Sequence, residues 1–152
     1  MNFTDFAQVG VTDVAHAIQL SLAPVFLLNG IGVLLGMLTS RLARVVDRAR
    51  GLEHRLPQAT GEEAAEILRG LATMRRRARL MNRAIEFSTA AALLVALVVA
   101  LLFASAFLAF SLAAPVGLLF ILSMGSLVLA LVAFLAEIRI ATATLRIGPQ
   151  RG

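Results

Sequence analysis

The run FSTAAALLVALVVALLFASAFLAFSLAAPVGLLFILSMGSLVLALVAFLA, Phe87 to Ala136, is 50 residues long and carries no charged side chain. A helix needs roughly 20 apolar residues to cross about 30 Å of hydrocarbon, so the run holds two crossings. Pro115 suits the first turn of a helix, where its missing N–H costs nothing, so SLAAPVG (111–117) reads as a tight external hairpin. Upstream, Ala17 to Leu38 is a further 22 residues free of charge, enough for one more crossing. The expectation is an all-α integral membrane protein with three transmembrane helices, at 16–38, 86–112 and 115–137.

Composition agrees. The chain has 152 residues, 59% hydrophobic and only 15% charged, with a mean hydropathy of +0.87. A soluble domain is nearer half apolar and about 25% charged. Without cysteine there is no disulfide, zinc-thiolate, iron–sulfur or cysteine-nucleophile chemistry. All 14 basic residues are Arg, and Trp and Tyr are absent, so an interfacial belt falls to Phe and Arg. No basic residue precedes Arg41, which argues against a cleaved secretory signal and for a retained first span.

The arginines also predict orientation. Eleven of them lie between Arg41 and Arg83 against five acids, whereas the first 15 residues carry Asp5 and Asp13 alone. Basic loops stay in the cytoplasm. This puts the N-terminal segment (1–15) outside, and the central segment (39–85) and the tail (138–152, with Arg139, Arg146 and Arg151) inside.

The central segment has its own period. Leu38, Leu42, Val45, Ala49, Leu52 and Leu56 recur at steps of 4 and 3, as do Ile67, Leu71, Met74, Ala78, Met81 and Ile85. Each is a heptad seam. Between them PQATG (57–61) breaks the helix, and Thr60 with Glu63 has capping-box spacing. Two equal seams about a turn predict an antiparallel cytoplasmic coiled-coil hairpin between the first and second spans. It would pair Leu56–Ile67, Leu52–Leu71, Ala49–Met74, Val45–Ala78, Leu42–Met81 and Leu38–Ile85, in arms of about 28 Å.

Two sets of residues are candidates for function. In the first span, whose N-cap is expected at Thr12 or Asp13 and whose kink is expected at Pro24, Gln19, Asn29, Gly30, Gly32, Gly36 and Ser40 make a polar, glycine-rich set. Asn29, Gly32, Gly36 and Ser40 fall within a sector of about 80°, with Asp47 on the same line. Such a stripe should face protein or water, and Gly32-x-x-x-Gly36 permits close approach of another helix. Packing within the chain, packing between subunits, and lining of a polar path are the readings. The serines of the other spans, Ser88, Ser105 and Ser111 with Thr89, suit bonds back to their own helix, and Gly117, Ser123, Gly125 and Ser126 are small contact positions.

The second set is a charge cluster at the membrane base: Arg41, Arg44, Asp47, Arg48, Arg79, Arg83, Glu86 and Glu137. Much of it could be a solvated helix face, with Asp47 near Arg44, Arg50 and Arg76, and Arg83 near Glu86. Juxtamembrane arginines also attract anionic headgroups at about 1 kcal/mol each, so a bilayer with anionic lipid is an expected partner.

Neither His16 nor His54 has the partners of a metal site. No phosphate-cradling loop, G-x-S-x-G or intramembrane carboxylate pair is present, so neither an enzyme nor a cofactor is expected. The basic excess lacks stacking aromatics, against nucleic acid.

The stretch AIQLSLAPVFLLNGIGVLLGMLTSRLARVVDRAR (Ala17–Arg50) resembles the signature region of a bacterial membrane-protein family catalogued as domain of unknown function 2721. The resemblance is carried by Gln19, Ala23, Pro24, Phe26, Leu27, Leu28, Gly30, Ile31, Gly32, Arg41, Leu42, Arg44, Asp47 and Arg48. It implies a small bacterial inner-membrane protein and no activity. The residues themselves point to a homo-oligomeric assembly forming an ion-conducting pore around the first helix. The alternative is a non-conducting scaffold whose hairpin docks a cytoplasmic partner.

Overall fold

The structure is a computed structural model that describes residues 3–107 and 112–143, with side chains described for 14–105 and 112–142. It is all-helical among these residues. Helix α1 runs Phe3–Arg55, a 3-10 turn covers Leu56–Gln58, α2 runs Glu62–Phe107, and α3 runs Ala113–Ala143. Each long helix is long and apolar enough to cross a membrane, and three apolar helices fit a membrane protein.

Side-chain exposure shows the same inversion. Phe26, Val33, Leu93, Ile121 and Leu118 are 73%, 70%, 64%, 69% and 59% exposed. A soluble monomer rarely leaves apolar area on that scale to water; hydrocarbon is the solvent that suits it.

Helix ends follow local chemistry. The α1 helix closes on Arg55, and α2 opens on Glu62 and Glu63, charges that complement the two helix dipoles. Between them the Ala59 N–H donates to the Leu56 carbonyl, closing the turn at Pro57. Gly61 has φ +61°, a conformation that glycine adopts without steric cost.

Three expectations about ends and bonds are corrected. The first intrahelical bond of α2 runs from the Ala65 N–H to the Gly61 carbonyl, so Gly61 rather than Thr60 stands at the cap, and Glu63 reaches Arg55 instead. The α1 helix starts at Phe3 and passes through Thr12 and Asp13, because a polar residue inside a helix costs only a few tenths of a kcal/mol when no proline stops the chain. Pro24 lies inside this helix, which is unbroken there. Ser105 bonds back to the Leu102 carbonyl as expected, but among the described residues the buried Ser88 and Ser123 hydroxyls have no partner. At α3, Val116 N–H donates to the Leu112 carbonyl, with Pro115 among the first-turn residues that need no donor. Ser111 and tail residues 144–152 lie outside the described residues, and residues 138–143 of the expected tail are helical.

The chain divides into two compact units, Met1–Leu34 with Ser88–Leu127, and Leu35–Phe87 with Val128–Gly152. In the first, the buried positions are Ala17, Ser21, Pro24, Ile31, Ser88, Ala91, Val95, Val98 and Ser123. The second buries Leu38, Val45, Ile67, Leu71, Met81, Ala84, Ala130 and Glu137. Along α1, buried and half-buried residues recur at 17, 21, 24, 28, 31, 35, 38, 42, 45, 49 and 52, so the heptad step extends upstream through the apolar half. A similar row in α3 runs 116, 119, 123, 126, 130, 133 and 137.

Candidate functional site

At position 137 that last row carries a carboxylate. Glu137 is fully buried, the last residue of an apolar face that includes Ser123 and Ala130. Burying a charge is tolerated only when it is paired and hydrogen-bonded. Arg77 of α2 donates from Nε and Nη2 to Oε1 at 3.0 and 2.8 Å, and Arg41 of α1 donates from Nη2 to Oε2 at 3.1 Å. The Arg41 guanidinium also lies over the Phe134 ring, 5.1 Å from its centroid. One carboxylate thus ties together all three helices of its unit.

Arg41 and Glu137 belong to the expected cluster; Arg77 does not. In sequence it sits in the run Arg75–Arg77, which looks like solvated charge. The overlooked signal is a second row on α2: Ala84, Ala91 and Val98 are buried at seven-residue steps, and one step back is Arg77. A helix packed on two sides buries two rows, and an arginine at the end of the second meets the neighbour on that side.

The remaining arginines sort into two clefts. Arg44 and Arg48 join Arg41 and Arg77 around a cavity of about 200 Å³ floored by Val45, Met74 and Met81. There Arg44 donates to the Ser40 hydroxyl at 2.8 Å. Arg79 and Arg83 join Arg76 and Arg139 around a larger cleft of about 500 Å³, floored by Leu80, Ala136 and Ile140. The structure therefore splits the expected cluster. Asp47 and Glu86 are exposed and form no ion pair among the described residues, so the expected contacts with Arg44, Arg50, Arg76 and Arg83 are not made. Acids nearer the turn make the exposed pairs, Arg55–Glu63 at 3.4 Å and Arg75–Glu53 at 4.0 Å.

The α1 stripe is separate from these clefts. Gln19, Asn29, Gly30, Gly32, Gly36 and Ser40 are all exposed, and Pro24 is buried on the seam. A Cβ added at Gly30, Gly32 or Gly36 would meet nothing within 4 Å. Packing of this stripe within the chain is therefore corrected: the heptad face takes the neighbouring helices, and the glycines lie off it. Among the described residues no three His, Asp or Glu side chains gather where they could hold a metal ion.

These features define a class: a small three-helix protein with a lipid-compatible exterior and a carboxylate–arginine clamp on its charged segment. The family model described as "Protein of unknown function (DUF2721)" matches residues 21–147, and the chain belongs to that family. No curated protein and no solved structure matches the chain.

Proposed function

We propose that the protein is a non-enzymatic homo-oligomer of the bacterial inner membrane, assembled through α1 around an ion-conducting path. The observation that carries this reading is the exposed stripe of Asn29, Gly32, Gly36 and Ser40 on a helix otherwise suited to lipid. An amide facing hydrocarbon lacks a hydrogen-bond partner, and glycines without an intramolecular neighbour leave room for a second helix to approach closely. A second copy of α1 satisfies both. In a ring, Asn29 and Gln19 line or seal the axis.

The frame for that ring is an antiparallel coiled-coil hairpin of α1 and α2 on the cytoplasmic side. Its support is the set of contacts across the turn: Arg55–Glu63, Arg75–Glu53, and Leu52 Cδ1 at 3.3 Å from where a Gly70 Cβ would stand. The arginine excess of this segment supports the orientation, N-terminus outside and C-terminus inside.

The test is the oligomeric state of the purified full chain in lipid, together with single-channel conductance. The reading expects a symmetric ring, and conductance that falls at least tenfold in Asn29→Leu. A monomer, or unchanged conductance in that variant, overturns the pore. One observation favours a second reading, a non-conducting scaffold: Leu68, on the hairpin arm, is 54% exposed where no lipid is expected. A defined cytoplasmic partner lost on Leu68→Glu, without conductance in the parent protein, would establish that reading instead.

A further inference from the structure

One spacing occurs twice. On α1, R-L-A-R-V-V-D-R (41–48) sets arginines at 41, 44 and 48; on α2, R-R-A-R-L-M-N-R (76–83) sets them at 76, 79 and 83. Steps of 3 and 4 place each triplet along one side of its helix. The second triplet meets Arg139, which with Ala136 and Ile140 sits within one turn of α3 on the side facing the cleft. Four guanidinium groups thus rim a cleft of about 500 Å³ whose floor is apolar.

Among the described residues no carboxylate pairs with this rim. Arg76, Arg79, Arg83 and Arg139 form no ion pair among the described residues. The position equivalent to Asp47 in the first triplet is Asn82, and Glu86, three residues beyond Arg83, makes no ion pair with it. Like charges three and four residues apart destabilise a helix by a few tenths of a kcal/mol per pair, so the triplet carries a standing repulsion that a bound anion relieves. The chemistry of the rim narrows the anion. Arginine is a planar fork that binds phosphate oxygens in pairs, and four of them exceed what a single carboxylate can use. The cleft is also large enough for more than a simple ion.

We propose that this cleft binds a phosphate-bearing anion, either the headgroup of an anionic phospholipid or a soluble phosphate. Exposed apolar residues Val128, Val132 and Leu135 lead along α3 toward Arg139 at steps of 4, 3 and 4, a track on which acyl chains can lie. The inference rests on the membrane placement and not on the pore, since the cleft is complete within one chain.

The test uses the full chain in neutral phosphatidylcholine nanodiscs, scored per chain so that oligomeric state does not enter. Thermal stability and native mass spectrometry are read with phosphatidylglycerol added to the disc, or with inorganic phosphate added to the buffer. Either addition should bind and raise the melting temperature, and which one does so fixes the source. The double variant Arg79→Gln/Arg83→Gln should weaken that binding roughly tenfold or more, at about a few-fold per basic side chain removed. Arg55→Gln/Arg69→Gln, which removes the same charge elsewhere, should change it less than twofold. If the first variant melts early in neutral lipid, Arg139→Gln provides the same comparison from the other helix. Equal losses in the cleft and control variants, or no binding of either phosphate source, overturn the site.

Discussion

The triplets Arg41–Arg44–Arg48 and Arg76–Arg79–Arg83 share a spacing and differ in what stands across from them. The first lies beside Glu137, which takes Arg41 and also draws Arg77 from α2; the second meets another arginine, Arg139. Two of the four arginines at one cleft are therefore held by an internal carboxylate, whereas none of the four at the other has an ion pair among the described residues. Local sequence sets where the charges point. The helix opposite decides whether they become structure or a place to bind something.

The sharpest way to break the comparison is to take the carboxylate away. Glu137→Leu leaves two partly buried guanidinium groups, 28% and 16% exposed, without their counter-ion. Removing one partner of a buried pair costs about 3 kcal/mol or more, so this substitution should be the most destabilising of any in the charged segment. Denaturant titration in detergent, followed by helicity, reads it. A loss below about 1 kcal/mol would mean that Glu137 is not a clamp. The first cleft should then also bind phosphate, making the two clefts alike.

Next comes the division of labour inside the clamp. Arg77 gives Glu137 two bonds through one fork and is the more buried; Arg41 gives one and keeps a ring contact with Phe134. Arg77→Gln should therefore cost more than Arg41→Gln, by about 1 kcal/mol, since a charge-assisted hydrogen bond contributes on that order. Double-mutant cycles against Glu137→Gln isolate each coupling. Equal couplings would show that the geometry of the fork does not matter here.

How much of this was legible in the sequence depends on where a residue's partner lies. The charge-free blocks reveal three long apolar helices because crossing length and composition are properties of one segment. The breaker at Pro57–Gly61 marks the turn for the same reason. The cluster at Arg41, Arg44, Arg48, Arg79, Arg83 and Glu137 is visible as an imbalance of charge, but its division into two clefts is not. That division follows from α3 docking on α2, and α3 has an apolar surface with almost no period to say which side it packs. Arg77 is hidden by Arg75 and Arg76 immediately before it: only the buried row at 84, 91 and 98 distinguishes it from its neighbours. The stripe at Asn29, Gly32 and Gly36 is clear in sequence as a line, yet its freedom from intramolecular contact needs the heptad seam to be seen occupying another face.

The smallest effect is expected at the pair that looks most like a staple. Arg55 and Glu63 approach to 3.4 Å across the turn, but their side chains are 68% and 59% exposed. In water the attraction between such groups is nearly cancelled by hydration, by salt screening and by the entropy of holding two long side chains together, leaving a few tenths of a kcal/mol. Glu63→Gln should therefore shift stability by less than about 0.5 kcal/mol, and less again at high salt. The turn itself is held by Gly61, whose φ of +61° no other residue type adopts as readily. A loss from Glu63→Gln approaching that from Glu137→Leu would mean that exposed and buried carboxylates act alike in this segment, and burial would no longer explain why the arginines of one cleft serve the fold and those of the other do not.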